Sequence, residues 1–338
     1  MRVFQIEGEW GFDNLTLSQR PEPTCGAGQV MVKMRYASLN ARDLIVPERG
    51  YGRATGELPL IPVSDGVGEV VEIGAGVTRV AVGDRVCPTY FQNWTSGEPT
   101  PERFSSALGG PLDGVMADLV CLSAEGVVKL PDYLSDAQAA TLPCAALTAW
   151  SAVATHGRTR AGDKILVQGS GSVALFALAF AKLHGAHVTV ISSSDDKLVK
   201  VAEMGADATI NYHTTEDWAR ASRSVTADRG GYDNIIELGG AQTLPLSLRA
   251  VRPGGTLSMI GVLSGLNIEA SLGPIVARQV RLQGVTVGHR DGFEAMLRAM
   301  ELHQVQPVLG ETFPFEDLKT AMDHLRVGDH FGKTLIQF

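Results

Sequence analysis

A short glycine-rich segment in the middle of the chain has the residue types and spacing of a phosphate-binding turn. Residues 169–174 read Gly-Ser-Gly-Ser-Val-Ala, a G-x-G-x-x-A pattern. The first glycine would permit a tight turn, the second would let a pyrophosphate approach the backbone, and the alanine would keep the next helix close to the preceding strand. We expect phosphates to be held through backbone N–H groups by Gly169, Ser170, Gly171, Ser172 and Val173. The alternative is a glycine-rich turn between a strand and a helix that binds no ligand.

The elements that must position this turn lie on either side of it. The strand KILVQ precedes the pattern, a helix runs from Ser172 to near Gly185, and a second strand occupies 187–191. Strands alternating with helices of about 10–15 residues indicate βαβ units and a parallel sheet, which is the context that a dinucleotide-binding turn requires. Further strands are predicted at 208–212, 232–238, 255–262 and 280–288.

The end of the second strand bears on which nicotinamide dinucleotide would bind. Sites for NAD usually place an acidic residue there to bond the ribose diol, whereas this chain has three serines at 192–194. The acidic pair at 195–196 is expected in the first turn of the next helix. Small hydroxyls leave room for a 2′-phosphate, which Ser192, Ser193 and Lys197 would hold, so the sequence favours NADP over NAD. The same serines could equally be only a helix N-cap segment.

The first 130 residues have the character of a β-rich domain. Runs of β-branched and aromatic residues alternate there with Pro, Gly and Asp turn signals, at 3–6, 30–37, 68–74 and 84–90. A polar loop is predicted at 92–110 and an Ala-rich helical segment at 135–157. After the strand–helix region, the chain ends with two amphipathic helices, around 292–303 and 318–325, and a strand at 333–338.

Composition excludes several classes of function. The chain has 29 Lys and Arg against 37 Asp and Glu, a net charge of −8, so it lacks the basic field of a nucleic-acid-binding protein. Its four cysteines form no C-x-x-C pair and no disulfide framework. The longest apolar run, 173–181, is far shorter than the ~20 residues of a membrane span, and no apolar signal core opens the chain. We expect a cytoplasmic protein with a small-molecule substrate and no nucleic-acid or membrane partner.

Taken in order, these segments resemble the medium-chain dehydrogenase/reductase superfamily. The resemblance implies an α/β protein in which a Rossmann dinucleotide-binding domain accompanies a GroES-like β-barrel catalytic domain. The implied divisions are 1–140 for the GroES-like domain, 141–288 for the Rossmann domain, and 289–338 for the return to the catalytic domain. Besides the glycine turn, the segments that carry the resemblance are LNARDL at 39–44, PLIPVSDGVGEVVEIGAGVTRVAVGDRV at 59–86, TLPCAALTAW at 141–150 and HFGKTLIQF at 330–338.

The positions that bind metal in part of this superfamily resemble those of its zinc-free members. Zinc members carry C-H-x-D where this chain has NARD at 40–43, and G-H-E where it has VSD at 63–65. Only Cys144 matches a ligand, and the loop 92–110 lacks the cysteine cluster of a structural zinc site. Because catalytic zinc needs three protein ligands, no zinc is expected, and Cys144 is interpreted as a small buried residue. The resemblance is therefore to the quinone oxidoreductase-like branch.

The resemblance implies two catalytic candidates. Asn40 would lie beside the nicotinamide ring, where its amide can bond a carbonyl oxygen but cannot readily exchange protons; the alternative is a turn residue after a strand. Tyr51 would donate a hydrogen bond or a proton to the substrate; the alternative is a surface-loop aromatic. Arg42 and Asp43 are expected to pair or orient the loop, and Asp65 to fix a turn.

The remaining implications concern cofactor contacts, activity and assembly. The implied activity is zinc-independent, NADPH-dependent hydride transfer to a quinone, an enone or other activated alkene, or a carbonyl compound. The alternatives are an alcohol dehydrogenase or aldehyde reductase and a non-catalytic NADPH-binding protein. A homodimer through the strand 280–288 is expected, because family dimers often join their sheets there. Further cofactor contacts are implied, by position alone, for Thr148, Tyr212, Gly239, Gly261, Val262, Val287, Gly288, Phe331 and Lys333.

Overall fold

The computed structural model describes residues 1–338, which divide into two compact units. The first unit comprises Met1–Leu147 and Val287–Phe338, and the second comprises Thr148–Thr286. The expected divisions after residues 140 and 288 therefore differ by a few residues from the compact units. Residues 141–147 lie with the first unit, where the backbone N–H of Cys144 donates to the carboxylate of Asp65 at 3.1 Å.

The first unit is built mainly from antiparallel strands. Its seven-stranded sheet has the order β14-β15-β3-β4-β5-β7, with β6 paired to β3, while β1 and β2 form a separate two-stranded sheet. The strands are β1 (Arg2–Ile6), β2 (Leu15–Gln19), β3 (Gln29–Ser38), β4 (Asp65–Ile73), β5 (Arg85–Pro88), β6 (Leu119–Ser123), β7 (Val127–Lys129), β14 (Leu309–Pro314) and β15 (Lys333–Gln337). The helices wholly within this unit are α1 (Pro101–Phe104), α2 (Asp136–Ala139), α9 (Arg290–His303) and α10 (Leu318–Val327).

Alternating apolar residues of these strands form the core of the first unit. Val30, Val32 and Met34 of β3 are buried in one cluster with Leu318 and Met322 of α10. The period-2 pattern of a strand and the i, i+4 pattern of a helix thus place their apolar faces against one another. Burial of this face explains why the C-terminal segment returns to the unit formed by the N-terminal residues.

The second unit alternates strands and helices. All strand pairs of its six-stranded sheet are parallel, in the order β10-β9-β8-β11-β12-β13. This order, in chain sequence 3-2-1-4-5-6, is that of the dinucleotide-binding Rossmann fold and confirms the predicted α/β class. Its strands are β8 (Lys164–Gln168), β9 (His187–Ser192), β10 (Ala208–Asn211), β11 (Tyr232–Glu237), β12 (Val251–Met259) and β13 (Arg281–Gly284). Its helices are α4 (Ser172–Leu183), α5 (Asp195–Glu203), α6 (Trp218–Ala221), α7 (Leu244–Ala250) and α8 (Gly273–Ala277), preceded at the unit boundary by α3 (Leu147–Trp150).

Several local predictions from the sequence are corrected. The predicted strand 280–288 is confined to β13, whose pairing with β12 ends at Gly284, and Val287 has a positive φ of 51° outside the extended conformation. The predicted helical segment at 135–157 is divided into short α and π turns, with π turns at Leu142–Ala146 and Ser151–Thr155. The loop 92–110 contains α1, and Trp94 packs against Phe91 and Phe104. None of the helices is long and apolar enough to cross a lipid bilayer.

Candidate functional site

The glycine turn joins β8 to α4 as predicted. Gly169 has a φ of +78°, a conformation that favours glycine, and its N–H donates to the carbonyl of Ile191 at 2.6 Å. Gly171 is the N-cap residue of α4, no side chain caps that helix, and a Cβ added at Gly171 would meet no heavy atom within 4 Å. Ala174 is buried in the first turn of the helix. The turn therefore presents uncapped N–H groups and open space, which fit a phosphate group.

The end of β9 lies next to this turn. The hydroxyls of Ser170 and Ser192 are hydrogen-bonded at 3.2 Å, and Ser193 is exposed. The hydroxyl of Ser194 accepts from the N–H of Lys197 at 3.3 Å and caps α5, so the segment is also a helix N-cap. The carboxylate of Asp195 accepts from Asn211 Nδ2 at 2.7 Å. The strand thus ends in hydroxyls, and the first carboxylate of the next helix is bonded to the neighbouring strand.

The other candidates in the second unit differ in their surroundings. Tyr212 follows β10, and its N–H donates to the Ser192 carbonyl at 3.1 Å. Thr148 is buried, whereas Val262 is exposed. Gly239 and Gly261 follow β11 and β12, and a Cβ added at Gly261 would lie 1.9 Å from the Leu238 carbonyl oxygen. Close backbone packing therefore requires glycine at 261, and cofactor contact at these five positions stays a prediction.

In the first unit, Asn40 is bound by the ammonium group of Lys333. Lys333 is 2% exposed, and its Nζ donates to Asn40 Oδ1 at 2.7 Å and to the carbonyl of Leu39 at 2.5 Å. The Nδ2 atom of Asn40 is buried and has no hydrogen-bond partner. Lys333 thus holds the amide in one orientation and leaves its donor side unsatisfied, an arrangement that costs free energy unless a ligand accepts the bond.

Asp43 and Arg42 support the segment that carries Asn40. Asp43 is fully buried and accepts from the N–H of Asn40 at 2.7 Å. Burial raises the pKa of Asp43 to about 6, and Arg42 partly opposes this increase. The guanidinium of Arg42 donates to the carbonyls of Leu108 and Gly110 and lies 4.9 Å from the ring centroid of Tyr90. Arg42 therefore orients the loop through backbone carbonyls.

Tyr51 is half-exposed and precedes a short 3₁₀ turn at Gly52–Thr55. Desolvation raises its pKa, with a smaller opposing effect from Arg42. A phenol is protonated at neutral pH, and the raised pKa makes that of Tyr51 a weaker acid. Tyr51 is thereby suited to donate a hydrogen bond and poorly suited to release a proton.

The candidates at the C-terminal end of the chain are in the first unit. Val287 is buried and Gly288 is partly buried, both just before α9. Phe331 is partly buried and precedes β15, whose first residue is Lys333. The ammonium of Lys333 already contacts Leu39 and Asn40, so this predicted cofactor contact has an additional role that the sequence did not indicate.

Comparisons with known proteins agree with this architecture. The family model for the alcohol dehydrogenase GroES-like domain matches residues 26–132, and that for the zinc-binding dehydrogenase matches residues 172–301. A zinc-type alcohol dehydrogenase-like protein of Schizosaccharomyces pombe is 38% identical over 334 residues, covering 97% of this chain and 96% of that protein. The chain belongs to the medium-chain dehydrogenase/reductase superfamily. It is accordingly an NAD(P)-dependent oxidoreductase.

Solved structures of superfamily members share the whole fold. A putative alcohol dehydrogenase from Sinorhizobium meliloti 1021 has a TM-score of 0.93 and 40% identity, covering 100% of this chain and 98% of that chain. A structure described as an NAD-dependent alcohol dehydrogenase has a TM-score of 0.91 and 30% identity, with complete coverage of both chains.

The zinc implied by part of the superfamily does not fit the donors present. No group of three or more His, Cys, Asp or Glu side chains in residues 1–338 is placed to hold a metal ion. The carboxylate of Asp65 is occupied, since it accepts from the Ser64 hydroxyl at 2.7 Å and from the Cys144 N–H. Asn40, at a position where zinc members have a ligand, is bound through its side-chain oxygen by Lys333. Cys144, expected to be buried, is only partly buried, and desolvation raises the pKa of its thiol to about 12. Asp65 ties the start of β4 to residue 144, which corrects the expectation that it fixes a local turn.

Two polar residues near the glycine turn were not singled out from the sequence. Gln168 is the last residue of β8 and Glu237 the last of β11, and both are buried. The sequence did contain an indication of both, because each is a polar residue that directly follows apolar residues at the end of a strand. They are hydrogen-bonded to each other and to Ser247 of α7, partners that could not be identified without the tertiary structure.

Proposed function

We propose that this chain is a zinc-independent, NADPH-dependent oxidoreductase that transfers hydride to a quinone, an enone or other activated alkene, or a carbonyl compound. The observation that carries the proposal is the buried, unpartnered Nδ2 of Asn40, oriented by Lys333. Such a donor is suited to an oxygen atom on which negative charge develops. Asn40 stands where the zinc members of the superfamily carry a ligand cysteine.

The coenzyme is held by the second unit. N–H groups at the start of α4 bind the pyrophosphate, and Gly171 leaves space for it. Ser192, Ser193 and Lys197 surround the 2′-phosphate, with no carboxylate at the end of β9 to favour a ribose diol. The bound coenzyme supplies hydride chemistry, and preference for NADPH over NADH follows from this donor set. The name of one similar structure refers to NAD, so both coenzymes belong in the test.

The acceptor is polarised by groups of the first unit. Asn40 Nδ2 donates to the acceptor oxygen, and Lys333 keeps the amide from rotating. Tyr51 donates a second hydrogen bond, and the final proton comes from Tyr51 or from water. Zinc independence rests on the donor set, in which the carboxylate of Asp65 is hydrogen-bonded to Ser64 and to the N–H of residue 144, and the side-chain oxygen of Asn40 is bound by Lys333.

We also propose a homodimer formed through the outer edge of the second unit. The strand β13 pairs only with β12, so one edge carries unpaired backbone groups. Exposed apolar side chains are concentrated beside it, namely Val262, Leu263, Leu266, Ile268, Leu272, Val276 and Leu282. An apolar patch next to an open strand edge suits pairing with a second copy about a two-fold axis.

The proposed reaction is tested by oxidation of NADPH and NADH with quinones, enones, enoyl thioesters and aldehydes. We expect turnover with at least one acceptor, a lower KM for NADPH, and no loss of activity after treatment with a zinc chelator. Asn40→Asp keeps an acceptor for Lys333 but removes the Nδ2 donor, so turnover should fall by about tenfold or more. Coenzyme affinity should not change.

Asn14→Asp, the same substitution away from this cluster, is the matched control and should leave turnover unchanged. Absence of turnover with every acceptor would overturn the proposal. Reduction of aldehydes alone would assign the chain to the alcohol dehydrogenase type, and unchanged kinetics in Asn40→Asp would remove Asn40 from the site.

A further inference from the structure

A buried polar network joins the ends of two central strands of the second unit. Gln168 ends β8 and Glu237 ends β11, and these strands are neighbours in the sheet. Strand order reverses between them, which is the switch point where ligands of open parallel sheets bind. Gln168 immediately precedes the glycine turn, and Glu237 immediately precedes a second turn at 238–240.

The carboxylate of Glu237 is fully buried and receives five hydrogen bonds. Its Oε1 accepts from the N–H groups of Gly239 and Gly240, at 3.1 and 3.0 Å, and from the hydroxyl of Thr243. Its Oε2 accepts from Gln168 Nε2 at 2.7 Å and from the hydroxyl of Ser247. Donors rather than a cation stabilise this carboxylate, and two of the donors belong to the 238–240 turn itself.

The side chain of Gln168 completes the network. Its Nε2 donates to Glu237 and to the Ser247 hydroxyl, the latter at 2.8 Å. Its Oε1 accepts from the N–H groups of Leu238 and Gly239, both at 3.1 Å. Both polar atoms of the Gln168 amide therefore have partners. The amide oxygen of Gln168 and the carboxylate of Glu237 both accept from N–H groups of the same turn.

The backbone of the 238–240 turn requires glycine at two positions. Gly240 has a φ of +95°, and a Cβ added at Gly239 would lie 2.3 Å from Thr243 Oγ1. The backbone carbonyl of Gly239 accepts a hydrogen bond from the Ser264 hydroxyl at 2.8 Å. The N–H groups of the turn are thus bound by the side chains of Glu237 and Gln168, at the ends of β11 and β8, and its carbonyl is bound by Ser264, which follows β12.

We propose that Gln168, Glu237 and Ser247 are positioning residues that hold the glycine turn and the 238–240 turn in one fixed arrangement for the coenzyme. This inference rests on the proposed function, since it assigns the network to nicotinamide dinucleotide binding. The three side chains are buried and act through the backbone that they fix. Loosening the network affects coenzyme affinity, whereas acceptor affinity is set in the other unit and does not change.

Ser247→Ala tests the proposal because Ser247 is fully buried on α7 and cannot itself touch the coenzyme. The substitution removes a donor to Glu237 and an acceptor for Gln168. We expect the Kd and the KM for NADPH to rise about fivefold or more, with the acceptor KM unchanged. The matched control is Ser258→Ala, an equally buried serine of β12 that bonds Asn234 Oδ1 at 3.0 Å and lies outside the network.

Binding of NADPH and of NADH to the folded wild-type chain and both variants is measured by calorimetry, and acceptor kinetics follow. If the wild-type chain binds neither coenzyme, the proposed function fails and this inference with it. If the wild-type chain binds and Ser247→Ala binds equally well, or both serine variants weaken binding equally, only this inference is overturned. Should Ser247→Ala not fold, Thr243→Val is used, with Thr243→Ser expected to restore binding by restoring the hydroxyl; equal binding by both overturns the inference.

Discussion

At the scale of single residues, the first unit contains a buried set of polar groups whose charges are only partly balanced. Lys333 binds the Asn40 side chain, and the Asn40 N–H binds Asp43. The second carboxylate oxygen of Asp43 is buried without a partner. Desolvation therefore dominates over the Arg42 and Lys333 charges and raises the pKa of Asp43 to about 6. This gives the cluster a measurable pH dependence.

Asp43→Asn is expected to remove a pH-dependent contribution to stability. The folded-state pKa of Asp43 lies above that of an unfolded aspartate, so the folded state binds more protons between these values. Stability from this group is therefore lost as pH rises through that interval. Relative to the variant, the wild-type free energy of unfolding should fall by on the order of 1 kcal/mol between pH 5 and pH 7.

Denaturant unfolding of both proteins across this pH interval measures the difference. Asp132→Asn, at an exposed position, is the control and should follow the wild-type curve at every pH. A constant difference between wild type and Asp43→Asn from pH 5 to pH 7 would contradict the raised pKa.

At the scale of elements, the two glycines of the turn between β8 and α4 have different reasons to be glycine. Gly169 has a positive φ and is required by the backbone, whereas Gly171 has a φ of −80° and open space beside it. Nothing in the folded chain demands glycine at 171. A bound pyrophosphate would demand it, because a Cβ there would keep the phosphate from the N–H groups.

Gly171→Ala should therefore leave the fold intact and weaken coenzyme binding. We expect a melting temperature within a few degrees of wild type and an increase of about tenfold or more in the Kd for NADPH. Calorimetry of unfolding and of binding measures the two effects. Gly284→Ala, which also meets no atom within 4 Å, is the control and should change neither quantity. Wild-type affinity in Gly171→Ala would show that the phosphate does not approach this residue.

At the scale of the whole molecule, the second unit ends in an open edge that the chain itself does not cover. Leu266 is 80% exposed and Leu282, on the edge strand, is 43% exposed. Large apolar side chains so placed favour association because their burial removes apolar surface from water. The observed strand β13 is shorter than the predicted strand 280–288, but it is the outer strand of the sheet, at which pairing was expected.

Leu282→Lys is expected to dissociate the proposed dimer. A charge placed on the edge strand opposes its two-fold pairing, since the two lysines would face each other. Light scattering at micromolar concentration should show a dimer for the wild type and a monomer for the variant. Leu302→Lys is the control: it makes the same substitution at a leucine on α9 that is more exposed, 78% against 43%, and it should leave the dimer intact. A monomeric wild type at that concentration would contradict the pairing.

The sequence was sufficient for the features that depend on local pattern. Apolar strands alternating with helices predicted the parallel sheet, and G-x-G-x-x-A placed its phosphate turn between β8 and α4, where the structure has it. Four strands were not predicted, namely β2, β6, β7 and β14. They are short or carry no strong alternation, and pairing with other strands stabilises them. The partners of β6 and β7 are distant in sequence, namely β3 and β5, whereas β2 pairs with β1 and β14 pairs with β15.

Only the tertiary structure decided which polar groups meet. Lys333 and Asn40 are 293 residues apart in the chain. Gln168 and Glu237 are 69 residues apart. No local pattern encodes such contacts, because burial and hydrogen bonding of a side chain depend on what the fold brings to it. The sequence by itself determined the type of fold and the place of the phosphate turn through propensity and period. The fold decided how the amide of Asn40 is oriented and how the 238–240 turn is held, since both depend on buried polar side chains from distant segments.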